Sequence, residues 1–128
     1  MFITLVIKGA IVMSFENQIL QAIKSAMPQN AEIQVVQGSR ELNVGVSWRL
    51  SDNPERPNKK SKTISICVTH EAAQDFASAS SADQEAAYQR VVTFLSAKLA
   101  HFDPQHDAPR YEAPPVEKWV VNSAVVLS

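Results

Sequence analysis

Leu42, Val44, Val46, Trp48 and Leu50 occupy every second position of one segment, with Asn43, Gly45, Ser47 and Arg49 between them. A strand sends successive side chains to opposite faces, so this alternation predicts a strand over 41–50 with one buried and one wet face. Ile33 and Val35 alternate with Glu32 and Gln34, which predicts a partner strand near 32–37 joined to the first through Gly38-Ser39-Arg40 as a hairpin turn. A third strand follows a long polar loop, residues 51–61. Its Ile64, Ile66 and Val68 share one face, and Thr63, Ser65 and Cys67 share the other.

Helical spacing brackets this meander. Phe15, Ile19, Ala22, Ile23 and Ala26 recur at intervals of three and four after Ser14, an N-cap residue, and before Pro28, which stops a helix predicted over 14–27. Thr69 can cap a short helix holding Ala72, Ala73 and Phe76. Ser81 with Gln84 reads as a capping box opening a long helix to about Phe102, with Tyr88, Val91, Val92, Leu95, Leu99 and Phe102 as its apolar stripe. Residues 103–116 carry Pro104, Pro109, Pro114 and Pro115 and read as an irregular arm. The last segment, Val116 to Leu127, is strand-like, fit to pair with the sheet or with a partner.

The predicted fold is α+β and two-layered: an antiparallel three- to four-stranded sheet packed by two main helices, in the order α-β-β-β-α-β. Residues 13–128 form a single domain. Residues 1–12 are either an edge strand or an N-terminal extension upstream of a start at Met13, the second being preferred because Met13-Ser14-Phe15-Glu16 reads as a natural beginning. That apolar stretch is too short for a bilayer, which needs roughly 20 apolar residues, and lacks the pattern of a secretory signal. A cytoplasmic protein is expected.

Composition narrows the chemistry. Lys and Arg total 12 against 13 Asp and Glu, so the basic excess of a strongly nucleic-acid-binding domain is absent. Three glycines leave too few flexible positions for a phosphate cradle. Cys67 is the single cysteine, which excludes an internal disulfide and a paired-cysteine zinc site. On the wet face of the sheet, Asn43, Ser47, Arg49, Ser65 and Cys67 are expected to meet water. The order α-β-β-β-α is similar to that of double-stranded RNA-binding domains, which hold phosphates with lysines at the start of the last helix. Here that segment is Ser80-Ser81-Ala82-Asp83-Gln84-Glu85, of the opposite sign, so none of that family's binding residues carries over.

Three sets of residues are candidates for function. Trp119, Val121 and Val125 would supply an interface if the terminal segment adds to a sheet edge, its own or a neighbour's. Arg56, Lys59, Lys60 and Lys62 form a local basic patch that could track phosphates, though no aromatic is interleaved to stack on bases. His101, Asp103, His106 and Asp107 are the densest set of metal-ligand types, without the spacing that puts two ligands on one helix face. His70, at a strand-to-helix junction, is the best single acid–base candidate. The leading expectation is a non-enzymatic binding or assembly module that forms a homodimer, needing no cofactor and no membrane. Nucleic-acid binding through 56–62 and a metal-dependent protein built on 101–107 are the alternatives.

Overall fold

The computed structural model describes residues 4–7, 10–13, 15–36, 40–50 and 54–127, with side chains from Glu16 onward. The Ser14 cap, the Gly38-Ser39 part of the predicted turn and positions 51–53 of the polar loop lie outside the described residues.

The expected α+β order is present, with additions at both ends. Strands β1 (Thr4–Ile7) and β2 (Ala10–Met13) pair antiparallel as a separate ribbon, Leu5 opposite Val12 and Val6 opposite Ile11. Helix α1 (Phe15–Ala26) follows and closes with Met27 N–H donating to the Ile23 carbonyl ahead of Pro28. Strands β3 (Glu32–Val36), β4 (Leu42–Ser47) and β5 (Thr63–Val68) form the antiparallel meander. Then come α2 (His70–Ala77), α3 (Ser81–Ala100), β6 (Val116–Val121) and a one-turn helix α4 (Ser123–Leu127).

Two features depart from expectation. The four-stranded sheet has the order β3-β4-β5-β6, and β6 runs parallel to β5, so the sheet is mixed rather than antiparallel. Parallel neighbours need a crossover, and α2, α3 and the arm supply it. The end of the chain is not continuous strand: Asn122 turns it into α4, its Oδ1 accepting from Val125 N–H at 3.2 Å. Arg90 on α3 holds the far end of α4 by donating Nε–H to the Val126 carbonyl at 2.9 Å.

The helix starts are capped as their sequences allow. Thr69 Oγ1 accepts from Ala72 N–H at 3.2 Å and opens α2. At α3 the cap is Ser80, one residue before the predicted one, with its Oγ accepting from Asp83 N–H at 3.2 Å. Gln84 therefore does not close a box on Ser81; its side chain donates back to the Phe76 carbonyl and ties α3 to the end of α2.

One core fills the layer between sheet and helices. Val44, Val46, Ile64, Ile66, Val68, Trp119 and Val121 from the sheet meet Ile19 and Ile23 of α1, Phe76 of α2, Val91 and Leu95 of α3, and Val126 of α4. Each such side chain contributes roughly 1.5–3 kcal/mol on burial. Phe102, just past α3, stands edge-on between Trp48 and Trp119, with ring centroids 5.7 and 5.8 Å away. The buried Trp119 indole donates Nε1–H to Glu117 at 2.7 Å, so its polar atom is satisfied.

The register slips beside Trp48. Val46 pairs with Ile64, whereas Arg49 pairs with Lys60, so the β5 side carries one extra residue at Ser61–Lys62. Ser61 is fully buried at the bulge; its Oγ accepts from Trp48 N–H at 3.0 Å and donates to the Lys62 carbonyl at 2.8 Å. The Ser61→Ala variant strands the Trp48 amide in an apolar setting. Urea unfolding is expected to show a loss of about 1–3 kcal/mol with an unchanged slope.

Candidate functional site

The basic loop folds back on the proline-rich arm. Arg56 donates to the Ala108 carbonyl at 2.7 Å, Lys59 to the His106 carbonyl at 2.6 Å, and Arg110 of the arm to the Glu55 carbonyl at 2.8 Å. Lys60 forms a salt bridge with Glu32 at 2.6 Å. Lys62 places its ammonium 5.9 Å from the Phe102 ring centroid, and its amide bonds the Pro104 carbonyl at 3.0 Å. Three of the four cations that make the predicted phosphate-tracking patch thus hold the chain's own carbonyls or carboxylate, and the fourth lies over an aromatic ring. The loop and arm are far apart in sequence and neither forms ladders along this stretch, so the cations supply the contacts that a regular element would get from its backbone.

The 101–107 groups are similarly spread. His101 closes α3, its backbone N–H donating to the Lys98 carbonyl, and its side chain is exposed. Asp103 Oδ1 accepts from Gln105 N–H at 3.0 Å in a local turn. His106 uses both ring nitrogens on backbone: Nδ1 accepts from Ala108 N–H at 3.1 Å, and Nε2 lies 2.8 Å from the Lys60 carbonyl. Since Nδ1 accepts, the ring proton sits on Nε2 and is donated to Lys60. Asp107 is exposed. Among the described residues no group of three or more His, Cys, Asp or Glu side chains is gathered as a metal would need.

The predicted interface residues lie in the chain's own interior. Trp119 and Val121 are buried on the helix-facing side of β6, and Val125 is half-buried beside the core. The terminal segment adds to a sheet edge, and that edge is its own, along β5.

His70 does stand at a hollow. At the sheet end where β5 and β6 both run out into helices, Arg40, Glu41, Thr69, His70, Glu71, Asn122 and Ser123 line a wide depression of about 710 Å³. Ser123 Oγ is shielded there without a hydrogen-bond partner. The lining combines one guanidinium, one imidazole and two carboxylates. Among the described residues, no nucleophile is hydrogen-bonded to His70.

Cys67 corrects the expected wet face. Its side chain is only 3 % exposed. Burial pushes the thiol above its ordinary value of 9.0, and the Glu41 carboxylate, close by and hydrogen-bonded to it, acts the same way against a weaker opposing pull from Lys118. A reactive thiolate needs the opposite electrostatics.

The remaining surface of interest is the side of the sheet away from the helices. Alternation and register place Val36, Asn43, Cys67 and Val120 in one cross-strand row, and Gln34, Gly45, Ser65 and Lys118 in the next. Glu32 with Ser47, and Thr63 with Val116, follow beyond. Val36 is 54 %, Val116 65 % and Val120 40 % exposed. At the centre, a Cβ built on Gly45 would meet only the Gln34 carbonyl at 3.8 Å and the Thr63 methyl at 4.0 Å among the described residues, so no other described side chain reaches over it. The sequence shows these residues as a polar strand face. The valines at both edges become one surface only once the register is known.

Among the described residues no helix is long and apolar enough to cross a membrane. No protein-family model, curated protein or solved structure matches the chain.

Two measurements check this geometry. Replacing His106 with Ala should free the arm, seen as faster hydrogen exchange at the Ala108 and Lys62 amides, with global stability reduced by less than about 1.5 kcal/mol. The raised Cys67 value makes the native thiol stay protonated where the unfolded one ionises. Its contribution to stability is therefore complete below pH 9.0 and declines as pH rises from there through the native value. The stability gap between the wild-type chain and Cys67→Ala should narrow over that range in denaturant titrations at stepped pH.

Proposed function

We propose that the chain is a small non-enzymatic binding or assembly module that self-associates through the face of its sheet away from the helices. The observation that carries this reading is the grouping of the exposed Val36, Val116 and Val120 on one face, at opposite edges of a centre that holds Asn43, Gly45, Ser47, Thr63, Ser65 and the buried Cys67. Single exposed apolar residues are ordinary, but several sharing one sheet face make a surface suited to a partner. Two further features support it. Among the described residues, the layer between helices and sheet is filled by a continuous core, the place where a two-layer fold could otherwise hold a ligand. The loop cations that would serve a nucleic-acid interface are engaged within the chain. A cytoplasmic setting goes with this reading, since a lone buried thiol needs no oxidising compartment.

Sedimentation velocity over a concentration series tests it. Mass should rise with concentration toward a dimer. Val120→Asp should weaken association by tenfold or more, because a carboxylate would have to be desolvated at the contact, while the thermal midpoint of the monomer barely moves. A monomer mass at every concentration would end the proposal.

A further inference from the structure

Where the arm crosses the polar loop, one side chain holds both. His106 Nδ1 accepts from Ala108 N–H at 3.1 Å, and Nε2 donates to the Lys60 carbonyl 2.8 Å away. The His106 carbonyl accepts from Lys59 Nζ at 2.6 Å, and the Ala108 carbonyl accepts from Arg56 Nη1 at 2.7 Å. We infer that this ring is a proton-operated latch: a second proton, taken at Nδ1, opens the 106–108 turn and loosens the arm from the loop. The latch lies in the arm and not on the sheet, so it stands apart from self-association.

Both ring bonds require one protonation state. Nδ1 must offer a lone pair to Ala108 and Nε2 a hydrogen to Lys60, which only the neutral ring with its hydrogen on Nε2 can do. The imidazolium carries a hydrogen on each nitrogen and accepts nothing. Its Nδ1–H points at the Ala108 N–H, donor against donor. The ring then has two courses. It can keep the bond to the Lys60 carbonyl, which the added charge strengthens, but Ala108 has to swing away from it, with the carbonyl that Arg56 holds. Or it can turn Nδ1–H toward water, and the bond to Lys60 goes as well. On either course the Ala108 amide loses its acceptor and the clasp loses one of its ties. The carbonyls of this turn are what Lys59 and Arg56 hold, so the proton reaches the loop's cations through it.

The surrounding charges leave that loss standing. The loop packed against the ring carries Arg56, Lys59, Lys60 and Lys62 with Glu55, and Lys60 is paired with Glu32 of β3. The arm itself carries Asp103, Asp107, Arg110 and Glu112, all exposed. Among the described residues no carboxylate bonds the ring, whose two nitrogens are both spent on backbone, so no ion pair offsets the lost bond. A released ring takes up its second proton in water without that loss. The open arm therefore binds more protons than the closed one, and acid moves the population toward it. Imidazole changes charge between about pH 5 and 8, which sets the window.

Nuclear magnetic resonance of the full chain tests the latch. At about pH 7.5, long-range proton–nitrogen spectra should show His106 neutral with its hydrogen on Nε2. On titration to about pH 5, the Ala108 amide should come to exchange roughly tenfold faster, after correction for the intrinsic rate. The heteronuclear NOE of residues 105–110 should fall with it. Both changes should share the midpoint of the His106 ring and not that of His70 or His101. His106→Asn keeps an oxygen acceptor close to the place of Nδ1 and does not titrate, so its Ala108 amide should stay protected throughout, while His101→Gln should follow the wild-type chain. If the asparagine variant does not fold, the wild-type titration decides alone. A ring with its hydrogen on Nδ1 at neutral pH overturns the latch. So does Ala108 protection that stays constant over this range, or its loss without loss of arm order. An equal change in His106→Asn also overturns it and assigns the effect to Asp103 or Asp107.

Discussion

Between Val116 and Val121 the chain returns to lie parallel to Thr63–Val68, and a parallel pair can be closed only by carrying the chain back to the end of the sheet where the first strand began. The rest of the architecture follows from that requirement. Helices α2 and α3 travel over one face and cover it. The arm then has to pass from the end of α3 to the start of β6 without regular structure. It does so beside the loop that precedes β5, where the Lys62 amide bonds the Pro104 carbonyl and the Thr63 amide bonds the Pro115 carbonyl. Phe102 enters at the start of this path and locks between Trp48 and Trp119, so the aromatic contact joins the meander, the helix end and the returning strand at one point.

The elements that depend on local patterns are legible in the residues. The alternation at Leu42–Trp48 marks a strand with one buried face, and Pro28 stops the first helix within a residue or two of its observed end. Elements decided by distant partners are not. Nothing in Val116–Val121 distinguishes a parallel from an antiparallel neighbour, because an edge strand with alternating burial reads the same in both. The bulge at Ser61–Lys62 is invisible for the same reason: it is a relation between two strands, expressed by a serine that looks like part of a polar loop. The final helix was masked by Val125 and Val126, whose branched side chains favour strand; an Asn122 cap and the Arg90 contact override that preference.

The candidate site divides along similar lines. A run of basic residues and a run of His and Asp are both visible as composition, but each charge's partner lies elsewhere in the chain. Arg56 and Lys59 reach carbonyls at Ala108 and His106, and the imidazole of His106 reaches back to Lys60. What resembled two separate functional clusters is one reciprocal clasp, in which arm and loop satisfy each other's backbone. The exposed apolar positions of the sheet face away from the helices, Val36, Val116 and Val120, carry no chemical signal in the sequence.

Joining β6 to the sheet last in chain order has a consequence for assembly of the fold itself. The β3–β4–β5 meander is made of local contacts and can form as soon as its own residues are available, whereas the fourth strand waits on the whole crossover. In that interval the amides and carbonyls of β5 stand open along the sheet's edge, beside the vacant slot that the Trp119 indole later fills. An unprotected edge next to apolar surface is where chains recruit one another wrongly, and the speed with which the arm closes sets how long this nascent chain is exposed to that hazard.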